Sequence, residues 1–571
     1  MQLPDNLTVR GKKVSWRHEA LQADEPLLAW DGLLKARGLH ASDAYFSPKL
    51  SELPNPFDMQ DMIKAAERVV AAVLASERIH IFGDFDCDGV SGTAILTEAL
   101  QAAGASVTFS IPHRADDGHG IGVEPVREAV ERGVHLGISV DTGTTCFDAC
   151  DAAVELGFDL IVSDHHLPEQ SPEETLPKAF ALLNPAREDC GFADRKLCGT
   201  GVAFFLLMAV WKLLSEQGKR PDYDLRTLLD RVAVATIADV MDLVGVNRIL
   251  VYHGLQRLNT QPCVGMSALM KVARVKSAVT AETIGFYLAP RINAAGRMRH
   301  GEEAMRLLCT QDISEAEHLA GVLDETNKQR RKVEAEVFKQ AELMLGDAHT
   351  LAVNHKDWHA GVVGLAAGRL ARKHGRPAAV GFIDGNNNIR VSLRGVSGFH
   401  IGNLLHACSD FLEGFGGHAG AGGGSIKAGK WTAFVAAFAK AIQEQESGEN
   451  QHMDCLVDGV LGLQAMHVGL AERLQRFEPI GRGNPACTWL LKDVHIAERK
   501  DLKGGVMRLS LSDGHRYVPS IVFGGGALSD SLQAGQVVSV LGQLKVDDWR
   551  GNGAIQFVVE DVIDSVVENI T

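Results

Sequence analysis

The pattern that most constrains the fold lies between Ile79 and Asp164, where four short apolar runs each stop abruptly at polar residues. Ile79-His80-Ile81-Phe82 runs into Gly83-Asp84, and Ser106 to Ile111 runs into Pro112-His113-Arg114. Leu136 to Val140 then meets Asp141-Thr142-Gly143, and Leu160 to Val162 meets Ser163-Asp164. Helical patterns lie between them, at Val90 to Ala103, Val123 to Glu131 and Cys146 to Leu156. Apolar strands alternating with helices predict a parallel sheet covered on both faces. Ligands of such sheets bind beyond the carboxyl ends of the strands. The polar residues that end the four runs should therefore meet at one place.

A chain of 571 residues is too long for one hydrophobic core. From Ile313 to Leu345 the sequence reads as one long charged helix, with Leu319, Leu323, Val333, Val337 and Ala341 at helical spacing. At ~1.5 Å per residue it would span about 50 Å and act as a strut between domains. A second α/β pattern runs from Leu351 to about Gln445 and ends in a glycine-rich stretch, residues 414–424. Glu444 to Gln451 is polar and reads as a linker. Beyond Cys455, short alternating runs are separated by turn signals such as Lys503-Gly504-Gly505 and Ser512-Asp513-Gly514. A small antiparallel β-barrel such as an OB-fold fits that pattern. The expected division is an N-terminal extension (1–55), a parallel-sheet α/β domain (56–310), a connecting helix (311–346), a second α/β domain (347–450) and the barrel (451–571).

No stretch approaches the ~20 unbroken apolar residues of a membrane span, and Met1 to Ala20 lacks the apolar core of a signal peptide. Ten cysteines occur without a CxxC pair, which predicts reduced, packed thiols in a cytoplasm. The net charge of −15 argues against a nucleic-acid binder, which usually clusters Lys and Arg. Net charge says little about a local groove, however, and carboxylates that hold divalent metals count as negative until the metal arrives. Charge alone would favour an enzyme acting on small molecules.

The chemistry concentrates in Gly83-Asp84-Phe85-Asp86-Cys87-Asp88-Gly89, where three carboxylates alternate just past a strand. Crowded acids repel one another unless a cation sits among them. An EF-hand loop would need an acidic residue at its twelfth position, and none stands there when counted from Asp84. A solvated acidic turn fits these residues alone, but Asp141 and Asp164-His165-His166 at neighbouring strand ends weaken it. Carboxylates with a histidine suit Mn²⁺ or Mg²⁺ better than a structural zinc, which would want thiolates. Four or more acids suffice for two ions, and two ions ~3.5–4 Å apart can stabilise both the attacking and leaving oxygens at phosphorus.

These segments resemble the motifs of the DHH phosphoesterases. Asp84-Phe85-Asp86-Cys87-Asp88-Gly89, Asp141-Thr142-Gly143 and Asp164-His165-His166 look like the first three motifs, and Thr236-Ile237-Ala238-Asp239-Val240 like the fourth. Leu288 to Met298, with Pro290-Arg291-Ile292-Asn293-Ala294-Ala295-Gly296-Arg297, resembles the signature of the RecJ subfamily, the bacterial single-strand exonucleases. Trp358-His359-Ala360-Gly361 and Gly416-Gly417-His418 resemble its DHHA1 domain, and Phe477 to Pro485 the lead-in to its OB-fold. Gly420-Ala421-Gly422 departs from the family pattern, where paired alanines are common.

The resemblance implies a single-stranded-DNA-specific exonuclease that releases mononucleotides from 5′ ends with two Mn²⁺ or Mg²⁺ ions, in DNA repair and recombination. It implies Asp84, Asp86, Asp88, Asp141, His165 and Asp239 as metal ligands, with Asp141 bridging the ions. His166 would face the substrate phosphate, with Asp164 supporting it, and Arg297, Arg291 and Asn293 would touch the backbone near the cut. Arg114, Ser392 and Arg394 have the chemistry for a terminal phosphate, and His418 would approach the substrate from its glycine loop. In the barrel, Trp489, Phe523, Trp549 and Phe557 are candidates for base stacking, with Trp549 beside Arg550 favoured. A monomer is expected, with a single-strand-binding protein and a helicase as partners implied by the family. The alternative is a DHH phosphodiesterase acting on small or cyclic nucleotides.

Overall fold

The computed structural model describes residues 7–10, 12–18, 21–41, 43–112, 120–168, 176–446, 454–524, 527–547 and 553–563. The first sheet contains β1 (Arg78–Gly83), β2 (Ser106–Ser110), β3 (Leu136–Val140), β4 (Asp159–Ser163) and β5 (Ala181–Leu183), in the order β2-β1-β3-β4-β5. Every pairing is parallel. β3 is buried at all five positions, as a strand covered on both faces must be. The four runs read from sequence are β1 to β4; β5 is added at one edge. Around this sheet lie α1 (Cys87–Ala102), α2 (Gly199–Glu216) and α3 (Leu229–Ala238). Among the described residues α2 alone is long and apolar enough to cross a membrane, yet 72% of it is buried inside the protein.

The helix α4 (Ala289–Met298) leads toward α5 (Ile313–Leu345), which is unbroken over 33 residues. Ala316, Leu319, Ala320 and Leu323 in its first half join the core of the first unit. Val337, Phe338, Ala341 and Leu345 in its second half join the core of the next. A helix with each end anchored in a different core is a strut. The second sheet holds β6 (Leu351–His355), β7 (Ala378–Ile383), β8 (Asn388–Arg394), β9 (Gly414–Gly417) and β10 (Ala421–Lys427), in the order β9-β10-β8-β7-β6. The β6–β7 pair is parallel and the rest antiparallel. Helix α6 (Ala360–His374) packs against it.

The C-terminal unit is a closed five-stranded barrel of β11 (Trp489–Leu502), β12 (Val506–Ser512), β13 (Tyr517–Val522), β14 (Val537–Val546) and β15 (Ile555–Ile563). β11 pairs with both β12 and β14, β12 with β13, β13 with β15, and β15 with β14. The beginning of the chain belongs to this unit. Gln22–Ala23 and Lys13–Trp16 add parallel strands to Gly459–Leu461 and Asp454–Val457, and Thr8 Oγ1 donates to Asp561 at 2.8 Å. Trp30, Leu33 and Phe46 pack in one core with Phe477, Trp489 and Phe557.

Candidate metal centre and its cleft

Two helix N-termini organise the acids. Asp86 caps α1, its Oδ1 accepting from the backbone N–H groups of Asp88 (2.8 Å) and Gly89 (3.2 Å). Capping satisfies donors that a helix start leaves without partners. Asp88, buried in the first turn, accepts from the N–H groups of Gly199 (2.7 Å) and Thr200 (2.8 Å) at the start of α2. Thr200 Oγ1 donates back to the Asp88 carbonyl at 2.7 Å. This approach needs a glycine, because a Cβ on Gly199 would lie 2.6 Å from Asp141 Cβ. The positive ends of both helix dipoles thus face the carboxylates.

Asp141 ends β3 at φ +62°, a left-handed conformation that Asp tolerates better than most residues. Its Oδ1 is 3.0 Å from His165 Nε2. Asp239 Oδ2 is 3.6 Å and Asp88 Oδ2 3.8 Å from the same nitrogen. Asp141 Oδ1, His165 Nε2 and Asp239 Oδ2 are all buried without a hydrogen-bond partner. Such atoms are rare and costly, so three of them aimed at one point mark a position for a cation. Carboxylate oxygens of Asp84, Asp86 and Asp141 form a second cluster within 4.8 Å of one another, as do ligand atoms of Asp88, His165 and Asp239. Asp141 thus touches both clusters, through its place in the second and its 3.0 Å approach to His165.

The electrostatics agree. Burial pushes Asp141 well above the usual carboxylate range, and Asp88, Asp86, Asp84 and Asp239 add to it. Burial and the charges of Asp88 and Asp86 likewise push Asp239 up. Burial pushes His165 down, toward the neutral imidazole that can coordinate a metal. Cys87 and Cys198 stand close by, but burial pushes both thiols up and keeps them from acting as thiolates. A donor set of carboxylate oxygens and one imidazole fits Mn²⁺ or Mg²⁺.

Asp164 is the opposite of Asp141: buried but fully engaged. It accepts from the N–H groups of Thr144 (2.9 Å), His165 (2.7 Å) and His166 (3.2 Å), and from His166 Nδ1 (2.8 Å). Burial opposes its charge, yet these bonds hold it well below the usual carboxylate range. For His166, whose ring is half open to solvent, desolvation lowers the imidazole, but the bond to Asp164 and the charges of Asp164, Asp239 and Asp88 together push it up to about 9.

Across the cleft, β8 alternates. Ile389, Val391 and Leu393 are buried, while Ser392 and Arg394 are only partly covered on the other face. Both reach toward α6 at Gly364, where a Cβ would come within 3.0 Å of an Arg394 guanidinium nitrogen and 3.5 Å of Ser392 Oγ. His418 lies between β9 and β10; burial pushes its imidazole down, assisted by the charges of Arg394, His400, Arg482 and His166.

The α4 residues divide. Arg297 Nη1 donates to Gly361 O at 3.4 Å, at the seam between the two units. Asn293 Oδ1 accepts from Cys87 N–H at 2.8 Å and ties α4 to the start of α1. Arg291 is clamped by Asp324 of α5 at 2.9 Å. Trp489 and Phe557 are fully buried in the barrel core, whereas Phe523 is 57% exposed. Arg114 and Trp549 lie outside the described residues. Gly199 and Thr200, which hold Asp88, carried no recognisable signal in the sequence, because they act through backbone N–H groups.

Comparison with known proteins follows the same division. Residues 78–236 match the model of the DHH family N-terminal domain, 346–444 that of the DHHA1 domain and 457–561 that of the RecJ OB domain. The chain is 34% identical over 522 residues to the single-stranded-DNA-specific exonuclease RecJ of Dickeya dadantii, covering 87% of this chain and 89% of that protein. The crystal structure of Thermus thermophilus RecJ in complex with Mn²⁺ superposes with a TM-score of 0.79 at 28% identity, covering 96% of this chain and 80% of that one. A Mg²⁺ complex of RecJ from the same organism gives 0.71 at 26% identity, with 96% and 78% covered. With site geometry, domain order and relatives in accord, the chain belongs to the RecJ family.

Proposed function

We propose that this chain is a single-stranded-DNA-specific exonuclease that releases mononucleotides from 5′ ends by two-metal hydrolysis. The observation that carries the reading is the convergence of Asp141 Oδ1, His165 Nε2 and Asp239 Oδ2, unpaired and buried, opposite a wall bearing Ser392, Arg394 and His418. Asp84, Asp86 and Asp141 would hold one ion, and Asp88, Asp141, His165 and Asp239 the other. When bound, two divalent ions polarise the scissile phosphate and lower the pKa of an attacking water. His166, charged and anchored by Asp164, donates a hydrogen bond to a phosphate oxygen. Ser392 and Arg394 hold the terminal 5′ phosphate, which sets the first linkage as the one cut. Arg297 fixes the spacing of the two walls, with Arg291 and Asn293 shaping the helix that carries it. The cellular setting that suits this chemistry is DNA repair and recombination in the cytoplasm, by a monomer working with a helicase and a single-strand-binding protein.

End-labelled single strands, blunt duplexes and dinucleotides incubated with Mn²⁺ test the reading. Mononucleotides should appear first from a 5′ label, blunt duplex should be cut little, and Arg394→Ala should lose about tenfold or more of kcat/KM on 5′-phosphorylated strands. Mononucleotides released first from a 3′ label would sink the assignment.

A further inference from the structure

The loop that leads into the barrel, residues 477–485, is tied down against the segment that follows Asp239. Asn484 Nδ2 donates to the carbonyls of Phe477 (2.8 Å) and Pro479 (2.7 Å), and Tyr45 Oη donates to Asn484 Oδ1 at 2.7 Å. Arg248 donates to the carbonyls of Phe477 (3.2 Å) and Glu478 (3.0 Å). At the tip, Arg482 O accepts from Leu243 N–H at 2.7 Å. Gly483 follows at φ +75°, and a Cβ there would sit 3.1 Å from Asp242 Cβ. The loop is thus rigid, and seated on the segment that follows Asp239.

The side chain it presents is not explained by stability. Arg482 Nε lies 2.9 Å from Asp242 Oδ1, while Lys196 Nζ takes the other oxygen at 2.5 Å. Two cations share one carboxylate, and both remain open to solvent, at 62% and 64%. Exposed ion pairs add little to folding, and the surplus positive charge is left over for a ligand. Asp242, which holds Arg482, follows Asp239 in the chain, and the Arg482 charge lowers both the Asp239 carboxyl and the His418 imidazole. An anion spanning the cleft would meet a planar guanidinium suited to phosphate oxygens.

We propose that Arg482, carried by the barrel's attachment loop, is a substrate-phosphate contact beside the metal centre, so that this loop completes the active site. The proposal rests on the reading of the substrate as a single strand. Its test is kcat/KM for an end-labelled single strand with Mn²⁺, over a series of salt concentrations, for the full chain and for Arg482→Ala and Arg482→Lys. Loss of one phosphate contact flattens the dependence of log affinity on log salt by about 0.7 for single strands. Arg482→Ala should show that flattening together with about a tenfold loss at low salt, and Arg482→Lys should retain the wild-type slope and most of the rate. Equal losses in both variants with a wild-type slope would mark a merely structural residue and overturn the proposal. An active wild type matched by Arg482→Ala overturns it as well. A wild type that leaves single strands intact instead fells the functional reading, and this inference with it.

Discussion

The two walls of the cleft are built in opposite ways. On the acidic wall three carboxylates are fixed by backbone, Asp86 and Asp88 by helix N-termini and Asp164 by three N–H groups, and they frame the unpaired oxygens of Asp141 and Asp239. On the facing wall, Ser392 and Arg394 stand on a strand paired with the glycine-rich β10, and β9 on the far side of β10 is exposed along its length. The difference follows from what each must hold. Carboxylates that gather cations repel one another until the cations arrive, so their positions have to be imposed by the fold beforehand. A wall that grips a moving polymer must let go after each cut, and tight organisation there would slow release.

If the acidic wall is as preorganised as it looks, its weakest point is the shared ligand. Asp141→Ala should lower kcat by at least about 10³-fold with far-UV circular dichroism unchanged; hydrolysis at the wild-type rate by a folded variant would remove the two-ion geometry. Asp164→Asn keeps the shape but not the charge that holds His166, and a loss of roughly 10–100-fold is expected. A loss smaller than that of Ser392→Ala would show that the two walls contribute in the reverse order. Farther out, Phe523→Ala should weaken binding of a long strand about tenfold, within the ~1–3 kcal/mol of a stacked base, and leave dinucleotide hydrolysis untouched. Deleting the barrel cannot replace that measurement, because Trp30, Leu33 and Phe46 would lose their core.

The smallest effect concerns stability without metal. Asp141 and Asp239 have folded-state pKa values raised above their unfolded ones. Their cost to the fold is absent while they are protonated and appears as pH rises beyond the usual carboxylate range. In chelator, Tm should therefore fall as pH rises above about 4, and the Tm gained from Mn²⁺ should grow over the same interval. A metal-induced gain that shrinks with rising pH would contradict the crowding of the acids.

The sequence made the acidic wall legible because strand ends are legible. An apolar run that stops at Asp84, Asp141 or Asp164 points its carboxylate to the sheet edge by geometry alone. Asp239 was different: it closes a helix, and only the resemblance to a known motif singled it out. The N–H groups of Gly199 and Thr200 were invisible, since backbone donors 111 and 112 residues from their acceptor leave no trace in residue type. The pairing of Arg291 with Asp324 on α5 was not legible either, since a helix-surface acid gives no sign of which cation it will meet. The barrel's strands were readable from their turns, whereas the strands at residues 13–16 and 22–23 pair with segments hundreds of residues away.

That last pairing sets an order of assembly. Tyr45 meets Asn484 across 439 residues, so on a ribosome making ~5–20 residues per second the opening segment waits roughly 20–90 s for the partners that bury it. Trp30 and Leu33 travel uncovered through that interval, while both α/β units between them can already close. The barrel's unit is thus stitched from segments made far apart in time, and its core closes only after the residues of both α/β units between them have been made.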